Sequence, residues 1–565
     1  MALHERPHAM QCLLITLLFV LSAFASPLSD SAPSSRWKHL ALKTKGSFLT
    51  DIHGAPFFWQ ADTAWELFHR LNHSEVIHYL DDRQAKGYNI IMSVAIPEYN
   101  VTLPNRNGDL ALVDFDPTQP NPAYFDYVDW CIDRATERGL RIALVPTWGR
   151  YINGGWHGDP ILFTNESTAQ IYGTYIAKRY AGLPKILGAD SDRWWPTNLT
   201  EFTTGQTINT NQTTDVAGLG NISYSDTANI WNALGNAMVD VEGELSFITY
   251  HPTSQWLSKF APATGYAQYK DVEGSSRWLK MDAAQSGHEC IDSVPGAGRW
   301  CGSKNYIPVE LMWNNSLGER PIMDLENHYE GGWFNINPSL SGGRIWNESD
   351  VRTGAWTAVF GGGAGATYGA WSVWQFYNLG LGQDNITVAT FPPCNPSGLA
   401  PNATADNTEY TTCVNSTEPV AMTWLDELVL PGSAQIQHLQ KFITDPSSAP
   451  GQHYFDRLPD NLVISTDLGE DEGRFSATRD KKGRWAAVYS PQGLSFGVDV
   501  DYLAGFLNGG SNATLKWTQK WYSPRNGSFV DEEEGCGTDV ATFTPPTSGS
   551  VDHDWVLLLE KIKLD

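Results

Sequence analysis

The stretch RPIMDLENHYEGGWF, residues 320–334, begins as a buried β-strand and then becomes acidic. Side chains alternate between the two faces of a strand. The pattern therefore places Ile322, Asp324 and Glu326 on one face, and Met323 and Leu325 on the other. Two carboxylates on one face of a buried strand do not serve a packed core, because burying a charge without a partner is costly. The stretch predicts a strand that ends at a chemical site.

Similar units, each a short apolar run followed by a helical pattern, recur along the chain from about residue 56. The eight strand candidates are PFFWQADT, NIIMSVAI, RIALVPTWG, KILGAD, SFITYHP, WLKMDAAQSG, RPIMDLENHYE and GATYGAWSVW. Strands that alternate with helices pair in parallel through crossovers. Eight such units predict an α/β fold of the (β/α)8 TIM-barrel type. A doubly wound open sheet is the alternative, but no G-x-G-x-x-G follows any strand.

Beyond about residue 445 the pattern changes to short alternating runs separated by turns such as RDKKGR and LNGGSN. Runs of this kind are typical of an antiparallel β-sandwich. We therefore predict a barrel catalytic domain over 26–444 and a C-terminal sandwich over 445–565.

The N-terminus carries a targeting signal. An apolar run, CLLITLLFVLSAF, ends in the A-x-A pattern of Ala23 and Ala25, which is typical of a cleaved signal peptide. We predict a signal peptide over 1–25 and a secreted, extracellular mature chain, with a retained signal anchor as the alternative. Frequent N-x-[ST] sequons, Asn72 and Asn347 among them, agree with a secreted glycoprotein.

The composition excludes two classes of partner. The formal net charge is −25, whereas nucleic-acid binding depends on Lys and Arg that neutralise phosphates. No nucleic acid is expected, and no membrane once the signal is removed.

The cysteines suit an oxidising compartment. Two pairs lie close in sequence within Gly-, Pro- and Asn-rich stretches, and we predict them to be disulfides that staple loops. The predicted pairs are Cys290 with Cys301 and Cys394 with Cys413. Cys131 and Cys536 are left unpaired.

Every predicted barrel strand ends in polar or aromatic residues, and the carboxyl ends of barrel strands form the usual catalytic face. Asp62 could instead be a helix cap. The candidate substrate contacts are Asp62, Trp65, Glu98, Trp148, His251, Gln285, His288, Asp324, Tyr329, Glu330, Tyr368 and Trp371.

Two carboxyl groups carry the predicted chemistry, Asp190 after the fourth strand and Glu326 after the seventh. Hydrolysis of a glycosidic bond needs one carboxyl to protonate the leaving oxygen and a second to attack the anomeric carbon or activate water. We assign Asp190 as acid/base and Glu326 as nucleophile, with Asp324 as support deeper on the same strand. No zinc motif occurs, and no metal or cofactor is predicted, because two carboxyls and water complete the reaction.

Several motifs occur in the order found in a known family. PFFWQADTAWELFHRL, PNRNGD, ALVPTWG, ITYHP, QSGH, DLENHYEG and GGGAGATYGAWSVW resemble the apiosidase-like family of glycoside hydrolases, and the tail resembles the β-sandwich, named for collagen binding, that follows that barrel. The resemblance implies a barrel glycosidase that acts on plant cell-wall sugars. The family's GGD motif, which ends in the acid/base, falls on Asp190, and its E-x-x-YE motif falls on Glu326. Here GGD is GAD, with Ala189.

The expected protein is a secreted, monomeric glycoside hydrolase, retaining and exo-acting, whose substrate is a plant cell-wall polysaccharide or oligosaccharide such as a pectic side chain. Two alternatives stay open. One is a glycan-binding barrel without catalysis, and the other is an adhesin in which the sandwich binds a matrix.

Overall fold

The computed structural model describes residues 36–98, 100–155, 160–196, 224–253, 264–287, 302–332, 344–378, 422–508, 515–550 and 552–561. The described residues belong to one compact unit. The predicted signal peptide, both predicted disulfides and His288 lie outside these ranges. Within them, Cys131 and Cys536 are free thiols.

The strands are numbered in chain order. They are β1 Leu42–Lys45, β2 Phe48–Asp51, β3 Pro56–Phe57, β4 Trp59–Thr63, β5 Ile90–Val94, β6 Arg141–Val145, β7 Lys185–Leu187, β8 Trp194–Pro196, β9 Tyr224–Asp226, β10 Ile248–Tyr250, β11 Leu279–Gln285, β12 Ile322–Glu326, β13 Tyr329–Glu330, β14 Gly365–Ala370, β15 Arg457–Pro459, β16 Ser476–Asp480, β17 Trp485–Ser490, β18 Phe496–Asp499, β19 Leu515–Tyr522, β20 Phe529–Gly537, β21 Val540–Phe543 and β22 Trp555–Lys561.

The α-helices cover the intervening segments. They are Leu67–Arg70, His73–Ala85, Pro122–Glu137, Arg150–Asn153, Glu166–Arg179, Ala228–Glu242, Gly265–Tyr269, Ser275–Trp278, Tyr306–Ser316, Glu348–Phe360, Trp424–Glu427, Pro431–Gln435, Gln437–Thr444, Ala449–Gln452 and Val500–Asn508. None of the helices in the described ranges combines the length and the apolar character needed to cross a lipid bilayer.

A parallel sheet forms the centre of the first domain, with the strand order β12-β11-β10-β7-β6-β5-β4-β14-β13. The backbone N–H of Ala364, just before β14, donates to the carbonyl oxygen of Ile322 in β12 at 2.9 Å. This contact joins the two sides of the sheet and closes the ring. All eight predicted strands are present, so the predicted (β/α)8 barrel is confirmed.

The barrel strands are apolar runs because both of their faces are covered. In β5 every residue is buried, and the same holds for β14. The helices outside begin at clear signals. Asn72 and Glu75 form a capping box at the start of His73–Ala85, and Asn347 and Asp350 form another at the start of Glu348–Phe360.

The C-terminal domain contains a six-stranded sheet with the order β15-β16-β17-β22-β19-β20 and a two-stranded sheet of β18 and β21. The strand pairs are antiparallel, as predicted. The helix Val500–Asn508 differs from the expected run of short strands. Val500, Leu503 and Ala504 are buried in the core of this domain, and their spacing of three and four residues is that of one helix face.

A buried ion pair links the barrel to the sheet domain. Arg352, on the helix Glu348–Phe360, is 1% exposed and its Nε lies 2.9 Å from Oδ2 of Asp554, which is also 1% exposed. The hydroxyl of Tyr489 donates to the same oxygen at 3.3 Å. Trp356, one turn along the helix, stacks on the Tyr489 ring. The sheet domain therefore packs directly on a helix of the barrel wall.

We expect Arg352→Met to lower the free energy of unfolding by about 3 kcal/mol, because it leaves the Asp554 carboxylate buried without its main counterion. Denaturant unfolding of the full chain measures the change. The control is Arg134→Met, which breaks an exposed pair with Glu137 and is expected to cost less than about 1 kcal/mol. Equal losses in the two variants would contradict the assigned role of the buried pair.

Candidate active site

Glu326 enters the barrel because the pairing of β12 with β11 shifts by one residue. Ala284 pairs with Asp324, but the next residue, Gln285, pairs with Glu326. Leu325 is therefore extra, as in a β-bulge, a device that re-aims side chains next to active sites. The shift places Glu326 on the same side as Gln285, and Asp324 stays on the opposite side.

The surroundings of Asp324 show that it faces the outer helices. The Ser286 hydroxyl donates to its Oδ2 at 2.6 Å and the Asn305 amide at 3.1 Å. Asn305 also donates to the carbonyl oxygen of Gly354, in the helix Glu348–Phe360. The expected common face for Asp324 and Glu326 is therefore wrong, since strict alternation does not allow for the shift. Asp324 therefore stabilises the strand through hydrogen bonds on its outer, helix-facing side.

The carboxylate of Glu326 is held by two side chains from neighbouring strands. Gln285 Nε2 donates to Oε1 at 3.0 Å, and His251 Nε2 lies 2.9 Å from Oε2. A hydrogen bond to a carboxylate oxygen, such as the one from Gln285, favours the ionised form of a carboxyl group. The arrangement suits a carboxylate that attacks as a nucleophile.

His251 also connects this carboxylate to Asp190. Its Nδ1 lies 2.9 Å from the carbonyl oxygen of Pro252 and 3.5 Å from the backbone nitrogen of Asp190. One imidazole ring therefore lies between Glu326 and the main chain of Asp190. The two predicted catalytic residues, 136 positions apart by their numbers, meet at this ring.

The turn that carries Asp190 has an unusual backbone. Gly188, Ala189 and Asp190 have φ angles of 86°, 50° and 53°, all in the left-handed region that L-residues adopt at a cost. A Cβ on Gly188 would lie 2.2 Å from the carbonyl oxygen of His251. Glycine is therefore required at 188, and the buried Ala189 adopts a strained conformation.

Aromatic rings form two groups in the neighbourhood of the carboxyl groups. Trp65 contacts Trp148 edge-on at 5.4 Å and His251 at 6.0 Å between ring centroids. Tyr329 and Trp371 form the second group, 6.2 Å apart. The predicted residues Trp65, Trp148, His251, Gln285, Tyr329 and Trp371 are thus grouped around Glu326 and Asp190.

Two residues of this region were not singled out in the sequence. Trp374 is half-buried and packs against Tyr329 and Trp371. It lies three residues after Trp371 in GAWSVW, a spacing that places both rings on one side of a turn. Glu66 is buried and its Oε1 accepts the backbone N–H of Glu98 at 2.7 Å. The sequence feature that could have indicated Glu66 is its position next to Trp65.

Besides Asp324, three predicted sugar contacts face away from this group. Asp62 is 0% exposed, and its Oδ2 accepts from the Tyr79 hydroxyl at 2.5 Å and from Arg83 Nε at 2.6 Å. Both partners lie on the helix outside the barrel. The prediction for Asp62 is therefore wrong. Side chains alternate along β4, and this alternation points Asp62 outward, toward the helices.

The predictions that Glu330 and Tyr368 contact the sugar are also wrong, because both side chains point away from the site. The Tyr368 hydroxyl donates to Oε2 of Glu330 at 2.6 Å, and the Gly432 backbone N–H donates to Oε1 at 3.0 Å. Glu330 is completely buried, and burial raises its pKa to about 7. Both side chains belong to the packing behind the strands.

Within the described ranges, no group of three or more His, Cys, Asp or Glu side chains is arranged to hold a metal ion.

We expect Gly188→Ala to destabilise the chain by about 1–3 kcal/mol more than Gly54→Ala, because its Cβ would overlap the backbone of His251. Gly54 is the matched control. It has the same φ of 86° with nothing within 4 Å of an added Cβ, so it reports the conformational cost alone. Denaturant unfolding gives both values, and equal losses would show that the contact at 188 is unimportant.

Stability should also depend on pH through Asp324. Burial raises the pKa of Asp324 to about 7, whereas the unfolded group has an ordinary pKa near 4. Between these values the folded chain binds one more proton than the unfolded chain, so stability falls as pH rises and levels off above about 7.

Asp324→Asn should therefore reduce the loss of unfolding free energy between pH 5 and 7.5 by about 2 kcal/mol relative to the wild type. Glu330→Gln, at a second carboxyl whose pKa is raised to about 7, should act in the same direction. Unfolding curves at the two pH values provide the measurement. An unchanged pH dependence in Asp324→Asn would contradict the assignment.

Comparison with known proteins finds two family matches along the chain. Residues 43–448 match the family described as "Apiosidase-like, catalytic domain", and residues 458–560 match the one described as "Putative collagen-binding domain of a collagenase". No match was found among curated proteins.

Solved structures share the fold. A glycoside hydrolase family 5 protein from Bacteroides vulgatus is 24% identical, with a TM-score of 0.66 and 94% of each chain covered. A second structure, described as a glycoside hydrolase, is 23% identical with the same TM-score of 0.66, and the match covers 95% of this chain and 99% of that one. With a barrel that closes, carboxyl groups at the ends of its fourth and seventh strands, and a family match over more than half of its length, the chain belongs to the apiosidase-like glycoside hydrolases.

Proposed function

We propose that this glycoside hydrolase is secreted and removes single sugars, with retention of configuration, from side chains of plant cell-wall polysaccharides such as pectin. One observation carries the proposal. The register shift turns Glu326 into the barrel, where Gln285 and His251 hold its carboxylate beside the turn of Asp190.

The reaction follows from these positions. Asp190 donates a proton to the glycosidic oxygen as the bond to the anomeric carbon breaks, and the Glu326 carboxylate forms a bond to that carbon. In the second step Asp190 takes a proton from water, which displaces Glu326 and releases the sugar. Gln285 and His251 stabilise the charge on Glu326 when it departs.

The aromatic residues support an exo mode of action. Trp65 contacts Trp148, and Tyr329 contacts Trp371, so four aromatic rings lie in the neighbourhood of the carboxyl groups. Flat rings bury the apolar face of a sugar and leave its hydroxyls for polar partners. Four rings gathered near one pair of carboxyl groups suit one terminal sugar better than the middle of a long chain.

The sheet domain serves in this proposal as a support. Its Asp554 and Tyr489 are bonded to or packed against the helix Glu348–Phe360. Secretion is supported by the sequence over 1–25 and by the sequons.

The decisive test is a release assay on the full mature chain with pectic and hemicellulosic glycans. We expect the wild type to release one monosaccharide, and Glu326→Gln and Asp190→Asn each to lower the rate by about 10²-fold or more. Glu330→Gln is the matched control, because Glu330 faces away from the site. Release that persists in Glu326→Gln would refute the assigned nucleophile.

The stereochemical outcome is checked separately by NMR on the first-formed anomer. Retention requires that the anomer released has the configuration of the substrate. The opposite anomer would show that Glu326 activates water instead of forming a covalent intermediate.

A further inference from the structure

Glu472, on a turn of the C-terminal domain, reaches the catalytic end of the barrel. Its Oε1 accepts from the Ser303 hydroxyl at 2.7 Å and from Arg344 Nη1 at 2.5 Å. Ser303 comes just before the helix Tyr306–Ser316. Arg344 comes just before the helix Glu348–Phe360. Helices that follow barrel strands begin at the catalytic face, so one carboxylate of the C-terminal domain joins the segments that follow β11 and β12.

The ion pair of Glu472 and Arg344 is partly shielded from water. The two side chains are 25% and 35% exposed. Burial opposes the ionisation of Glu472, but the charge of Arg344 and the bond from Ser303 outweigh it, so the pKa of Glu472 lies below its ordinary value. Nη2 of Arg344 lies 2.5 Å from Oδ1 of Asp350. The guanidinium, whose donors lie in one rigid plane, is therefore fixed by two carboxylates, one from each domain.

Arg344 contacts a pair of stacked rings next to the nucleophile. Its guanidinium carbon lies 5.3 Å from the centroid of the Trp346 ring. The Trp346 ring stacks on His328 at 4.1 Å, with 9° between the two planes. Both rings are buried, and Nδ1 of His328 lies 3.0 Å from the carbonyl oxygen of Asp350. The contacts of Glu472 therefore continue to within two residues of Glu326.

The backbone of Trp346 holds the turn that carries one of the aromatic groups. Its carbonyl oxygen accepts from the N–H of Gly331 at 3.0 Å, and its own N–H donates to the carbonyl oxygen of Gly332 at 2.9 Å. The N–H of Gly332 donates to the carbonyl oxygen of Tyr329 at 3.0 Å. A Cβ on Gly332 would lie 2.8 Å from Cε3 of Trp371, so the Trp371 ring packs directly on this backbone.

We propose that Glu472 is a positioning residue of the site, through which the C-terminal domain sets the place of the Tyr329 and Trp371 rings against the sugar. The inference rests on the proposed function, in which these rings bind the terminal sugar. Glu472 itself touches no substrate. It acts through Arg344 and Trp346 on the backbone of the turn that the two rings pack on.

The nucleophile is held by a separate set of contacts. Gln285 and His251 lie within hydrogen-bond distance of the Glu326 carboxylate, and neither belongs to the series of contacts that begins at Glu472. Loss of the ion pair should therefore weaken sugar binding more than it slows bond cleavage. A rise in KM with kcat little changed is the kinetic sign of such a loss.

Hydrogen exchange measures the positioning without a substrate. In the full chain, Glu472→Ala is expected to speed amide exchange in peptides that contain residues 329–332 and 344–346 by about 10-fold, because local opening of this turn becomes easier. The matched control is Glu310→Ala, which breaks another ion pair between the two domains, with Arg474 at 2.7 Å. Unchanged exchange in Glu472→Ala, or equal acceleration in Glu310→Ala, would overturn the inference.

Steady-state kinetics measure the effect on the sugar site. On a glycan that the wild type cleaves, Glu472→Ala should raise KM about 5–10-fold and change kcat less than about 2-fold, while Glu310→Ala leaves both near the wild-type values. A fall in kcat at unchanged KM would overturn the inference, because it would assign the effect to the catalytic carboxyls.

A double variant tests whether Glu472 acts through Arg344. Residues that act through one contact have non-additive effects. Arg344→Gln alone should raise KM, and adding Glu472→Ala to it should raise KM no further. Additive increases would show that Glu472 acts by another route and would count against the inference.

The two kinds of measurement separate this inference from the proposed function. If the wild type cleaved none of the pectic and hemicellulosic glycans, the proposed function would fail, and hydrogen exchange would still decide the inference. Acceleration confined to Glu472→Ala supports it, and equal exchange in the wild type and Glu472→Ala refutes it.

Discussion

The one-residue shift between β11 and β12 is the constraint on which the site depends. Without Leu325 as an extra residue, Glu326 would point to the outer helices, as Asp324 does. The backbone holds the shift firmly, because the N–H groups of Ser286 and Gly287 both donate to the carbonyl oxygen of Glu326 at 2.9 and 3.0 Å. A Cβ on Gly287 would lie 2.0 Å from the carbonyl oxygen of Asn327. The shifted pairing of the two strands therefore also requires a glycine at position 287.

Much of the architecture could be predicted from the sequence, because it depends on local patterns. Eight apolar runs that alternate with helices specify the barrel, and the topology then brings Asp190 and Glu326 to one end of it. These two residues could be named because their strand ends are fixed by chain order alone.

The errors come from features that depend on neighbouring strands. Alternation assigned Asp324 and Glu326 to one face, and only the pairing with β11 reveals the shift. Asp62 ends a strand as a site residue would, yet its partner Arg83 lies 21 positions away on a helix. Which face of β4 the helix covers cannot be read from that strand, so Asp62 was placed on the wrong side.

Buried carboxyl groups behind the strands have a structural role. Asp62 and Glu330 accept hydrogen bonds from the chain's own donors, Tyr79 and Tyr368, so they stabilise one arrangement of strands and helices. A carboxyl group that is buried and bonded in this way holds the barrel wall and is not available to a ligand.

The pairing of Arg352 with Asp554 has a consequence for the inheritance of the two domains. A chimera that joined this barrel to an unrelated C-terminal module near residue 445 would place an unneutralised guanidinium in a nonpolar interface. The unpaired charge would destabilise the helix Glu348–Phe360. Asn305 donates to the Gly354 carbonyl in this helix and also to Asp324. The domains are therefore expected to be exchanged in evolution as a pair, and recombination at their boundary should succeed only between parents that share both charges.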